Sequence, residues 1–153
     1  MQRSALIVFF NGIGNAIMLV PILRLLNSEA NSFEYWCAEN PFFRARNLLR
    51  EAGLPHFRGI YPPAWRKFQP GHWPEIRQFM TRHKISHVFH FRNEPPHLEL
   101  GYRGFKQMFA GATTFVDLHP QLERLCSPKR PITRQLLDIL ESHEIDCTEY
   151  SPQ

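Results

Sequence analysis

The residues best placed for chemistry stand in a short turn, Asn11-Gly12-Ile13-Gly14-Asn15, directly after the apolar run Ala5 to Phe10. A glycine turn at such a junction can bring backbone N–H groups up to a phosphate, present a catalytic side chain, or let a strand pack closely on a helix. A dinucleotide site wants a third small residue three places after Gly14, but Ile17 stands there and its branched side chain opposes close helix–strand packing. Glu39 follows the second apolar run, where a ribose-binding acid would sit, so the dinucleotide pattern is matched only in part. No Gly-Lys-Ser/Thr follows the turn, which excludes a P-loop.

A second group of candidates surrounds the run Ser86 to Phe91. His87 and His90 are an odd number of residues apart, so in a strand they face opposite sides and cannot share one ion without a bulge. His97 adds no metal-ligand spacing and no His-Glu-x-x-His is present, so no metal site is expected. His90 lies near the end of its strand, where it could face a ligand together with Arg92 and Glu94. Arg92 could hold an anionic group by a bidentate contact, or pair with Glu94 at the surface for little gain. An imidazole at His90 is also a candidate proton acceptor, since imidazoles titrate near neutrality. Cys37 falls inside an apolar run and is expected to be buried and inert.

The elements that must hold these residues alternate along the chain. Strands are expected at Ala5 to Phe10, Phe33 to Ala38, His56 to Ile60, Ser86 to Phe91 and Thr113 to Leu118. Helices are expected from Asn15 to about Asn27, from Asn40-Pro41 to about Ala52, from Pro74 to His83, from Tyr102 to Ala110 and from Pro131 to His143. In the first helix Asn15 is read as the cap, Ile17, Val20, Leu23 and Leu26 as the apolar stripe, and Pro21 as a residue that forfeits a hydrogen bond. This alternation predicts an α/β fold, a Rossmann-like parallel sheet with helices on both faces. Ligands of such sheets bind at the carboxyl ends of the strands, where Asn11 to Asn15, Ala38 to Pro41 and Arg92 to Pro96 converge.

The 153 residues suit one domain, taken here as residues 1–153. Net charge is +4, but between Pro41 and Lys84 nine Lys/Arg stand against two Asp/Glu. That basic middle points to an anionic partner, or simply to a solvated surface. The loop Tyr61 to Trp73 mixes Arg66 and Lys67 with Trp65, Phe68 and Trp73, which suits a peripheral membrane contact or a glycan, or packs on its own aromatics. Nucleic acid is not expected, because no RNA-binding aromatic signature or recognition helix is present. Cys37, Cys126 and Cys147 make neither a disulfide framework nor a zinc knuckle, so a reducing, cytoplasmic setting fits. No signal peptide is read at the start, and Asn11 and Asn15 interrupt the only apolar stretch that approaches membrane-spanning length.

The stretch NGIGNAIMLVPILRLL resembles the amino-terminal signature of glycosyltransferase family 9, the lipopolysaccharide heptosyltransferases. That family opens with a buried strand, a Gly-x-Gly-Asp turn and a helix with a proline after about one and a half turns, then an Ile/Ala-Leu-Arg-x-Leu run. Here these are Gly12, Gly14, Pro21 and the run Ile22, Leu23, Arg24 and Leu26. Asn40-Pro41 after the second strand and KISHVFHFR are similar to the family more loosely. The resemblance implies the acceptor-binding half of a GT-B architecture, with Gly12 and Gly14 shaping the turn and Arg92 and Glu94 at the acceptor. It implies a nucleotide-diphosphate sugar as donor, no separate cofactor, and an anionic or lipid-linked glycan as acceptor, at the inner face of the membrane.

Two departures bear on activity. The family's turn ends in an Asp taken as the general base, and this chain has Asn15, whose neutral amide accepts a proton far too weakly. The family's donor-binding domain has no counterpart before Gln153, so the chain alone is expected to be inactive. A separately encoded donor-binding domain, or a non-catalytic remnant, would account for this. The readings from other classes are a small nucleotide- or dinucleotide-binding Rossmann module and a protein-interaction domain.

Overall fold

The computed structural model describes residues 3–9, 13–39, 57–60, 71, 73–91, 103–104, 106–109, 111–118 and 132–151. Among these, five strands form one sheet: β1 (Arg3–Phe9), β2 (Phe33–Glu39), β3 (Phe57–Ile60), β4 (Ile85–Phe91) and β5 (Thr114–Leu118). All pair in parallel, in the order β3-β2-β1-β4-β5. The chain thus builds outward from β1 on one side and then returns to build on the other. The strand order reverses between β1 and β4, the place where sheets of this kind bind ligands at the carboxyl ends of their strands.

Three helices among the described residues flank the sheet: α1 (Ile13–Asn27), α2 (Trp73–Arg82) and α3 (Ile132–Ser142). Residues 103–104 and 106–108 are also helical. The two faces carry separate cores. On one, Ala5, Ile7, Phe33, Tyr35, Phe89 and Val116 pack under Leu19, Ile22, Leu23 and Leu26 of α1 and Leu136, Leu137 and Leu140 of α3. On the other, Leu6, Val8, Ile85 and Val88 pack under Ile76 and Met80 of α2 and Phe109. The period-2 alternation of β1 sends Ala5 and Ile7 to one core and Leu6 and Val8 to the other, so the strand is buried on both sides. A register shift after Ser4 lets Ser4 oppose Ile85 while Ala5 opposes His87. Ile85 therefore joins the α2 core and His87 the opposite face.

Helix α1 departs from the expected details. It begins at Ile13, so Asn15 is its third residue rather than its cap. Its buried positions include Leu19, Ile22, Leu23, Leu25 and Leu26, while Val20 is half-buried, so the stripe is centred one position away from the expected one. The reason is chemical: from Ala16 to Leu26 every residue of α1 is apolar except Arg24. Pro21 lies inside the helix and, without an N–H, leaves one carbonyl of the preceding turn without its helical partner.

Helix α3 ends in a capping motif, although no glycine stands there to announce one. Glu144 takes the left-handed conformation at φ 63, the N–H of Ile145 donates to the Leu140 carbonyl at 3.1 Å, and that of Glu144 to the Glu141 carbonyl at 3.1 Å. These are the two bonds of a Schellman cap, and its hydrophobic contact is supplied by Ile145 and Leu140, both buried.

Candidate functional site

The site expected from the sequence lies at the carboxyl edge of the sheet. Gly14 and Asn15 belong to the first turn of α1, where backbone N–H groups lack intrahelical partners and the helix dipole favours negative charge. Gly12, Arg92 and Glu94 lie outside the described residues, as do His97, the expected helix from Asn40-Pro41 and the loop Tyr61 to Pro70.

His90 occupies the sixth position of β4, in register with Val8 of β1 and Asp117 of β5. In a parallel sheet such partners point to the same face, here the one covered by α2. The imidazole is 1% exposed, so it sits beneath the carboxyl edge rather than on its surface. A base must touch the hydroxyl it deprotonates, and in this conformation His90 is covered. Asp117 beside it receives the Lys106 ammonium at 2.7 Å, with the two side chains 37% and 28% exposed. Neither Lys106 nor Asp117 stands out in the sequence: they are eleven residues apart, with the end of a helical segment and a turn between them.

His87 faces the other side, as its odd spacing from His90 requires. Its ring meets Phe33 edge-on at 4.9 Å, and Nδ1 lies 2.8 Å from the Ser86 hydroxyl. Burial, then the nearby charges of Arg3 and His143, push its pKa down to about 4, so the ring is neutral at pH 7. Among the described residues no group of three His, Cys, Asp or Glu side chains could hold a metal ion. Cys147 is half-buried, and burial followed by the Glu141 carboxylate pushes its thiol up to about 11, which leaves it a poor nucleophile. No helix among the described residues is long and apolar enough to cross a membrane.

The opposite, amino edge of the sheet is closed by one buried side chain. Asn31 is 1% exposed in the turn between α1 and β2. Its amide donates to the carbonyls of Leu25 at 2.9 Å and Asp146 at 2.8 Å, and its oxygen accepts the Asp146 N–H at 2.9 Å. The Asn31 carbonyl takes both Nε and Nη2 of Arg3, at 3.1 and 2.7 Å, while the same guanidinium lies 4.0 Å over the Phe33 ring. Asn31 thus ties the start of the sheet to the segment after α3.

No protein-family model matches the sequence, and no curated protein matches it. Among solved structures the chain is similar to the crystal structure of a glycosyl transferase family 9 protein from Veillonella parvula, with a TM-score of 0.58 and 14% identity. That match covers 99% of this chain and 44% of the other, so the chain spans less than half the length of the structure it resembles. It is also similar, at a TM-score of 0.48 and 13% identity, to a dodecameric FMN-dependent UbiX-like decarboxylase from Escherichia coli, over 96% of this chain and 97% of that one, which is too distant to carry an argument. What the family 9 likeness establishes is the fold, an α/β Rossmann-like parallel sheet with helices on both faces.

Proposed function

We propose that the chain is the acceptor-side half of a GT-B glycosyltransferase related to family 9. The observation that carries this reading is Pro21 inside α1, six residues beyond Asn15 and followed by Ile22-Leu23-Arg24. An interior proline normally breaks a helix, so its presence at the offset of the family's signature is specific. The likeness in fold to a family 9 glycosyltransferase supports the same kind of protein.

On this reading the carboxyl edge receives an anionic glycan, free or lipid-linked, and a nucleotide-diphosphate sugar is held by a second, donor-binding domain. Asn15 stands where the family presents its base. As the third residue of α1 it lies where the helix dipole would stabilise a carboxylate, yet it supplies a neutral amide. With a complementary donor-binding half present, Asn15→Asp is expected to raise sugar transfer. No gain in a folded variant would place proton transfer elsewhere or remove catalysis from the account.

A second reading is a nucleotide-binding module, favoured by the strand order β3-β2-β1-β4-β5, which dinucleotide-binding folds share. Ile17 opposes it. Calorimetric titration with NAD separates the two, since micromolar binding would replace the glycosyltransferase reading.

A further inference from the structure

The amino edge gathers basic groups that no carboxylate neutralises. Arg3, Phe33 and His87 share the face of the sheet that α1 and α3 cover, and His143 follows directly on the end of α3. The Arg3 guanidinium lies 4.0 Å over the Phe33 ring, and the His87 ring meets that same ring edge-on at 4.9 Å. After burial, the charges of Arg3 and then His143 disfavour a proton on His87, so the three groups act on one another. A bulge aims His87 at this place. Ser4 opposes Ile85 and Ala5 opposes His87, which leaves Ser86 as the extra residue of β4. The Ser86 hydroxyl donates to the Ser4 carbonyl at 3.2 Å and lies 2.8 Å from Nδ1 of His87. With that hydroxyl proton committed, Nδ1–H donates to Oγ, and a proton taken up by the ring goes to Nε2.

Two nitrogens remain open. The Asn31 carbonyl takes Nε and Nη2 of Arg3, which leaves Nη1. Among the described residues neither Nη1 of Arg3 nor Nε2 of His87 has a hydrogen-bond partner, and neither is sealed from solvent. The acids of the adjoining elements are committed or turned away. The Asp146 carboxylate accepts from the N–H and hydroxyl of Thr148, and Glu141 pairs with Arg134. Glu34 faces the other side of the sheet, 3.4 Å from the Ser4 hydroxyl. Glu29 and Glu144 are exposed and form no ion pair among the described residues. Lys84, ahead of β4, is exposed, and β5 sets only Thr114 opposite His87.

We propose that Arg3, His87 and His143 form a site at the amino edge for a tetrahedral oxyanion, sulfate or phosphate, free or as an ester. It is separate from the carboxyl edge and does not depend on the glycosyltransferase reading. Arg3 supplies a fixed donor at Nη1, because Asn31 and Phe33 hold its guanidinium in place. His87 supplies a second donor at Nε2 once protonated, so the anion and the proton bind together. By linkage, the anion must raise the His87 pKa, and its binding must tighten as pH falls.

The His87 ring signals, followed by NMR through the acid range at constant ionic strength, test this in chloride, sulfate, glycerol 3-phosphate and acetate. The midpoint is expected at about 4 in chloride and about one unit higher in saturating sulfate, a tenfold preference of sulfate for the protonated ring. The rise on adding sulfate is the readout, since a variant can move the midpoint by itself. Arg3→Met should abolish the rise and His143→Gln should reduce it. Unchanged Lys106 and Asp117 amides, at the other edge, report that each variant is folded. No rise in sulfate, an equal rise in acetate, or a rise that survives Arg3→Met overturns the site. A larger rise with glycerol 3-phosphate than with sulfate keeps the site and assigns it to an ester, and the reverse order keeps it for the free anion.

Discussion

The two ends of the sheet handle polar groups in opposite ways. At the amino edge Asn31 is 1% exposed and each of its amide atoms meets a backbone group within 2.9 Å. At the carboxyl edge Lys106 and Asp117 pair at 2.7 Å but remain 37% and 28% exposed. A buried polar side chain with complete hydrogen bonding ties distant segments together, and losing it leaves its partners stranded. An exposed ion pair adds little to stability. The amino edge thus fastens the fold, and the carboxyl edge leaves polar groups at the surface, where parallel sheets bind their ligands.

The largest expected effect is at Asn31. Asn31→Ala takes the Asn31 partner from the Asp146 carbonyl and N–H and leaves the Leu25 carbonyl with the Ser28 N–H alone, and should cost about 3 kcal/mol in urea unfolding. Hydrogen exchange at Asp146 should accelerate as well, because the segment after α3 loses its tie. A loss no larger than that of an exposed substitution would mean that the amino edge is not the fastening end.

The next effect concerns pH at the same edge. The His87 pKa lies near 4 in the fold and near its ordinary 6.5 in the unfolded chain. Between these values the unfolded chain binds more protons, so stability should rise with pH from about 4 to 6.5 and then level off. His87→Phe keeps a ring against Phe33 and should remove this contribution from the stability–pH profile. An unchanged slope would assign the acid sensitivity to other groups.

The smallest effect should be a gain. Glu144 holds a left-handed conformation that costs a residue with a Cβ about 1 kcal/mol, so Glu144→Gly should stabilise the end of α3 by roughly that amount in thermal unfolding. Destabilisation would show that the Glu144 side chain contributes something beyond the cap.

The strands are legible because each is a compact apolar or β-prone run bounded by turn residues, and all five expected strands overlap the observed ones closely. Helix α3 is legible because Leu136, Leu137 and Leu140 stand out from polar neighbours such as Arg134 and Asp138. Helix α1 is not legible in detail, since a helix apolar on most sides offers no stripe for periodicity to select. Asn31 is hidden for a different reason: a single asparagine in a turn reads as turn chemistry, and its partner Asp146 lies 115 residues away. Lys106 and Asp117 are hidden because their pairing depends on where a helical segment crosses β5, which local sequence does not encode. The odd spacing of His87 and His90, in contrast, settles their opposite faces from sequence alone.

The central proposal is that the carboxyl edge of this chain meets an anionic glycan rather than a dinucleotide. Calorimetric titration of the chain with a phosphorylated oligosaccharide and, separately, with NAD tests it most directly. Heat from the oligosaccharide and none from NAD at micromolar concentration is the expected result. Micromolar NAD binding with no heat from the oligosaccharide would contradict it.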